Sequence, residues 1–267
     1  MFLIVFGTAG CTAESVKKRY ILAEKLWGKA DYAAAVEEFD KVARHDPRGK
    51  LGLQALYRAA TTQTLFLGQH TQAMKKLKAY VEAAGATPEA WSAQLQIGDI
   101  LFSKLAAYDE AILHYRALFQ KKPDGPDSPE ILFRIGRSHF FLWEFTEAVQ
   151  IYRELVQKFP QSKWAERASY ETALSLYTGG EQQPDDRGPG MDVYRKAMKA
   201  YEEFIQRYPT STLVPEAKFG IANCLEELDQ LEAAYEKYAE LKKIYPSPKI
   251  IEVKLARLRE RQLERKH

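Results

Sequence analysis

Two cysteines, Cys11 and Cys224, are all that 267 residues contain. That is too few for a disulfide framework and short of the four ligands of a structural zinc site. Long apolar runs are missing as well. The longest, Phe2 to Phe6, is far below the roughly 18 to 20 residues that a bilayer-spanning helix needs, so the chain is not expected to cross a membrane by itself. Nor is there an excess of one charge: 39 Lys and Arg face 36 Asp and Glu, and a net +3 gives no electrostatic case for a nucleic-acid partner. Signatures of chemistry are also lacking. No phosphate-binding glycine loop, dinucleotide fingerprint, zinc-protease helix or nucleophile elbow occurs. The five histidines never fall three or four apart, and adjacent acids such as Glu37 and Glu38 point about 100° apart on a helix, a poor arrangement for paired acid-base work. The expectation is a chain without catalytic residues, metal, cofactor or small-molecule substrate.

What the sequence does hold is a repeat. Six segments carry a bulky residue, an alanine three positions on, and an aromatic or leucine four beyond that: Tyr32, Ala35, Phe39; His70, Ala73, Leu77; Tyr108, Ala111, Tyr115; Phe145, Ala148, Tyr152; Tyr194, Ala197, Tyr201; Leu231, Ala234, Tyr238. Spacing of three then four puts the trio on one helical face. Twelve residues after the alanine stands Pro47, Pro123, Pro160, Pro209 or Pro246, and Gly85 in the second segment, each able to end a helix. A second helical pattern precedes each alanine, so the unit is a helix-turn-helix pair. The alanines are 38, 38, 37, 49 and 37 residues apart. A small residue at a helix crossing lets backbones approach while flanking aromatics fill the volume beside it.

This pattern resembles the tetratricopeptide repeat. The resemblance implies an all-α, right-handed solenoid of about six units over residues 16–248, with a basic capping helix at 249–267. The family's early glycine is present only as Gly136, which implies looser or shifted packing in several other units. The long fourth step contains residues 178–190, with four glycines and two prolines; it is expected to be an irregular loop inside the fifth unit. Cys224 lies in an apolar pattern and reads as a core residue.

Tetratricopeptide stacks bind proteins along the face of their first helices. Mapping the family's groove positions onto this chain names Tyr20, Arg58, Gln96, Phe133, Arg137, Arg167, Phe219 and Asn223 as candidate partner-binding residues. The first unit has Tyr20 and Glu24 where chaperone-tail adaptors place lysine and asparagine, which argues against that partner. Units four to six end in Phe159-Pro160-Gln161-Ser162, Tyr208-Pro209-Thr210-Ser211 and Tyr245-Pro246-Ser247. This ending, with the interruption at residues 184–192, is similar to the BamD-type family of outer-membrane assembly lipoproteins. That resemblance implies a scaffold on the periplasmic face of the outer membrane, meeting assembly subunits or unfolded barrel substrates. Tyr20 and Arg58 would lie on the substrate side, Phe219 and Asn223 on the subunit side. A CpoB-like adaptor of the Tol-Pal and peptidoglycan system is the alternative within the fold, disfavoured because no N-terminal coiled-coil pattern is seen. A cytoplasmic scaffold is the other.

At the N-terminus, Thr8-Ala9-Gly10-Cys11 resembles a lipobox, although leucine is usual where Thr8 stands and the preceding segment has no Lys or Arg. Residues 1–15 therefore read as a shortened signal segment and tether, with Cys11 as the lipidation candidate and a start codon expected upstream. At the other end, residues 249–267 mix Ile250, Val253, Leu255, Leu258 and Leu263 with seven Lys or Arg and three Glu. That composition suits a capping helix with a charged outer face.

Overall fold

The computed structural model describes residues 9–182, 184–185, 188–189 and 191–265, and the side chains of residues 13–180 and 191–265. Among the described residues there are thirteen α-helices: α1 (Ala9–Gly28), α2 (Tyr32–His45), α3 (Lys50–Leu65), α4 (His70–Ala84), α5 (Pro88–Ser103), α6 (Tyr108–Lys121), α7 (Ser128–Phe141), α8 (Phe145–Lys158), α9 (Lys163–Gln182), α10 (Met191–Arg207), α11 (Val214–Glu227), α12 (Leu231–Leu241) and α13 (Pro248–Glu264). The fold is a helical tetratricopeptide stack. It divides into two compact units, Met1–His114 and Tyr115–His267, with the division inside α6. In the first, α1 to α4 pack in chain order and α4 meets α5; in the second, α7 to α13 do the same.

All six repeat alanines, Ala35, Ala73, Ala111, Ala148, Ala197 and Ala234, are completely buried. Their partners four residues on, Phe39, Leu77, Tyr115, Tyr152, Tyr201 and Tyr238, are buried with them. Proline sets several helix ends. Helices α2, α6, α8 and α10 stop two residues before Pro47, Pro123, Pro160 and Pro209, because the residue ahead of a proline is driven out of the helical region. Proline also opens α5, α7, α11 and α13 near its first turn, where the missing N–H has no helical partner to lose.

The turn inside each pair obeys a second rule. Ala30, Gly68, Ala106, Trp143 and Asp229 all have positive φ, between 48° and 65°. Each sits five residues before its repeat alanine. The following residue's N–H donates back to a carbonyl of the first helix, as Asp31 does to Leu26 at 3.0 Å and Glu144 to His139 at 3.0 Å, the closure that a left-handed cap allows. Only one of the five is glycine, so the others carry roughly 1 kcal/mol of backbone strain apiece.

Two glycines mark close approach of helices. A Cβ on Gly136 of α7 would lie 2.5 Å from Tyr152 Cε1 of α8, and one on Gly220 of α11 would lie 2.5 Å from Tyr201 Cε2 of α10. Gly136 thus seats the tyrosine of its own repeat. In the sixth repeat, which lacks the early glycine, Gly220 seats the tyrosine of the preceding repeat.

The interruption differs from the irregular loop expected for residues 178–190. Helix α9 continues through Gly179 and Gly180 to Gln182, and β1 (Pro184–Asp185) pairs antiparallel with β2 (Gly188–Pro189). The glycines are retained in the helix because the space beside them is taken: a Cβ on Gly179 would meet Phe145 at 3.1 Å, and one on Gly180 would meet Tyr194 at 3.1 Å.

Candidate protein-binding face

Residues named from the repeat register all fall on first helices: Tyr20 on α1, Arg58 on α3, Gln96 on α5, Phe133 and Arg137 on α7, Arg167 on α9, Phe219 and Asn223 on α11. Each of them is held by residues of its own or a neighbouring segment, and Phe133 and Arg167 also meet each other. Within the first unit, Arg58 places Nε 2.9 Å and Nη2 2.7 Å from the two carboxylate oxygens of Glu24, a forked pair between α3 and α1. Its guanidinium also lies 4.6 Å from the ring centre of Trp27. This pairing raises the Arg58 pKa, the hydrogen bond to Glu24 being the largest cause. Tyr20 meets Phe39 edge-on at 5.6 Å. Burial, then the nearby Glu24 charge, holds its hydroxyl above the ordinary range. Gln96 donates to the Tyr57 hydroxyl across α5 and α3.

In the second unit Arg137 Nη1 donates to Glu171 Oε1 at 2.7 Å, and its guanidinium lies 4.8 Å from the Phe141 ring. Glu171 is itself buried, so this pair links α7 and α9 with its carboxylate sheltered and its guanidinium partly open to water. Phe133 was expected on the surface of the groove but is only 4% exposed. Trp164 packs on its ring at 4.8 Å, and the guanidinium of Arg167 stands 5.5 Å from it, which covers it from solvent. Arg167 is exposed and, among the described residues, makes no ion pair. Toward the chain end, Phe219 stacks on Tyr245 at 4.9 Å, and Asn223 Oδ1 accepts from the Tyr238 hydroxyl at 2.5 Å.

Beside Asn223 lies a group that the groove register missed. Glu226 is 6% exposed and takes Lys254 Nζ at 2.9 Å, Arg261 Nη1 at 3.4 Å and the Tyr238 hydroxyl at 3.2 Å. Asp229 adds Arg261 and Arg265. Three of the seven Lys and Arg residues expected to face outward from the cap are thereby used to fasten α13 onto α11 and the turn that follows it. The only signal in the sequence was a basic terminal helix following Glu226-Glu227 in the preceding unit.

The Cys11 side chain and residues 1–8, which carry the lipobox resemblance, lie outside the described residues. Helix α1 already runs from Ala9 through the segment read as a tether. Among the described residues no helix is long and apolar enough to cross a membrane, and no group of three His, Cys, Asp or Glu is arranged to hold a metal ion.

Stacked helix pairs, with first-helix side chains bridging one repeat to the next within each unit, define a tetratricopeptide protein of the interaction-scaffold class. A tetratricopeptide-repeat profile matches residues 65–126. The profile of the outer membrane lipoprotein family YfiO matches residues 103–251, more than half of the chain, and the chain belongs to that family. No curated protein matches it by sequence. Among solved structures it is similar to PilW, a type IV pilus biogenesis factor, with 16% identity over 87% of this chain and 94% of that one and a TM-score of 0.52. PilF of Pseudomonas aeruginosa is similar at 13% identity, covering 94% and 99%, TM-score 0.52. MamA of Desulfovibrio magneticus RS-1 is similar at 19% identity, covering 75% and 98%, TM-score 0.54. At these identities the likeness is one of fold.

Proposed function

We propose that this protein is a lipid-anchored scaffold at the periplasmic face of the outer membrane, acting in BamD-like fashion in the assembly of outer-membrane β-barrel proteins. The observation that carries the reading is the match of residues 103–251 to an outer membrane lipoprotein family. The lipobox-like Thr8-Ala9-Gly10-Cys11 is consistent with it. Two acyl chains or more on Cys11 would hold the protein stably at a membrane, which the short apolar run alone would not.

On this reading the first-helix face is the work surface. Arg58 and Arg137 are neutralised within the chain by Glu24 and Glu171, so they shape the face more than they attract a ligand. Arg167 keeps its charge for a partner. Tyr20 and Gln96 offer polar edges in the first unit, and in the second Asn223 offers an amide beside the Phe219 ring. Two measurements test the proposal. Intact-mass spectrometry of protein from the membrane fraction should show a mature chain beginning at an acylated Cys11. Photo-crosslinking from position 167 should capture barrel-assembly subunits or unfolded barrel proteins. An unmodified Met1 to His267 chain would refute the anchor, and adducts with cytoplasmic proteins alone would refute the envelope role.

A further inference from the structure

A groove in the second unit lies on a different face of α9 from Arg167 and Glu171. Helices α8 and α10 both pack on α9 and leave between them a cleft of about 820 Å³, floored by Ser175 and Gly179. It continues into a shallower space of about 300 Å³ toward Gln157 and Arg207. The α8 wall runs from Phe145 to Gln157, twelve residues or about 18 Å at the helical rise. That is the length of three to four helical turns.

Trp143 stands at the mouth of this groove. It occupies the turn position where five of the six repeats place a left-handed residue, at φ 65°, and alanine, glycine or aspartate fills the equivalent place in the other four. A bulky residue there is strained, and its side chain is 64% exposed, with an edge contact to Phe145 at 6.0 Å. The fold gains little from it. Strain retained at an exposed aromatic points to a use outside the fold. The rim supplies the sign of the occupant. Among the described residues Arg153, Lys196 and Arg207 are exposed and make no ion pair, while Glu203 pairs with Lys199 and the Glu144 carboxylate meets a ring nitrogen of His139. Among the described residues Glu144 and Glu147 are the acids of this groove that face no Lys or Arg, two against the three unpaired cations.

We infer that the α8–α10 groove of the second unit is a docking site for an acidic amphipathic helix of another protein, its apolar face laid on Phe145, Val149 and Trp143 and its carboxylates on Arg153, Lys196 and Arg207. Helix-in-groove recognition has this form. The site is independent of the first-helix face, so its failure leaves the proposed function standing.

The test uses the full chain and a fluorescein-labelled peptide of about fourteen residues, four helical turns, with leucine on one face and glutamate on the other, beside its lysine counterpart. Anisotropy titration should show the acidic peptide bound at least tenfold more tightly, roughly 1.4 kcal/mol, and more weakly as salt rises. Trp143→Gly should lower that affinity about tenfold without lowering the thermal midpoint, since glycine relieves the turn. Arg153→Glu combined with Lys196→Glu should transfer the preference to the lysine peptide. Equal binding of both peptides, binding of neither, or an unchanged affinity in Trp143→Gly would overturn the inference. So would dimerisation in sedimentation velocity that Trp143→Gly abolishes while the acidic peptide stays unbound, because the occupant would then be a second copy.

Discussion

Replacing Gly136 by alanine sets two effects of opposite sign against each other. Helix propensity alone favours alanine in the middle of α7 by about 1 kcal/mol. Packing opposes it. The added methyl would lie 2.5, 2.8 and 3.0 Å from Cε1, Cδ1 and Cζ of Tyr152, where ordinary carbon contacts begin near 3.5 Å. The ring must therefore move by about 1 Å. Tyr152 is completely buried, with Phe133 at 5.8 Å, so it has no solvent to move into, and such overpacking costs about 1–3 kcal/mol. The net expectation is a loss of about 1 kcal/mol, lowering the thermal midpoint by about 2–4 °C. Gly28, at the end of α1, has nothing within 4 Å of its missing Cβ and no positive φ; Gly28→Ala should stabilise by about 0.5 kcal/mol or more. A double-mutant cycle completes the assay. In a Tyr152→Leu background the obstruction is gone, and Gly136→Ala should become stabilising, a coupling of about 2 kcal/mol. Urea unfolding followed by circular dichroism reads all four proteins. If Gly136→Ala raised the midpoint in the wild-type background, the close approach of α7 and α8 would be wrong.

Alkaline pH should unfold the chain steeply. Burial holds the hydroxyls of Tyr152, Tyr201 and Tyr238 well above the ordinary range, and Tyr170 at about 12. These groups stay protonated when folded and ionise near 10 when unfolded, so their contribution is intact below about pH 9 and is lost as pH rises. Three such phenols give a slope of about 4 kcal/mol per pH unit above pH 10, and phenolate absorbance should rise together with loss of helix; titration near pH 10 with the helices intact would contradict this. Cys224 is completely buried, and burial followed by the Glu227 charge pushes its thiol up to about 12. It should resist iodoacetamide in the native protein and label only on unfolding. Glu226→Ala strands Lys254 and removes hydrogen bonds worth about 1.5–3 kcal/mol in a charged setting; hydrogen exchange should accelerate in α13 before α7 or α8, and uniform acceleration would deny the carboxylate its role as the fastener of the cap.

The repeat was legible because its physics is local and periodic. Ala148 and Tyr152 share one helical face whatever surrounds them, and Pro160 ends its helix by backbone sterics alone. The helix pairs, their proline stops and the buried alanines therefore followed from spacing, whereas the tetratricopeptide class and the first-helix groove positions came from the resemblance. Failures of reading occurred where two distant segments meet. Phe133 occupies a groove register position yet is buried, since Trp164 and Arg167 come from the next first helix to cover it. Gly179 and Gly180 looked like loop residues, but Phe145 and Tyr194 fill the space that side chains would need, and the helix passes through them.

Charge was the least legible quantity. Composition counted Lys and Arg against Asp and Glu without saying which ones neutralise each other. Sequence alone determined that this chain folds as stacked helix pairs, because hydrogen-bond ladders, proline stops and three-four spacing act within a single helix. Only the tertiary structure decided that Arg58 and Arg137 are consumed by Glu24 and Glu171, that Lys254 and Arg261 close on Glu226, and that Arg167 lies over Phe133 with no ion pair among the described residues. Those pairings join residues one repeat or more apart, and their geometry exists only once the helices have packed.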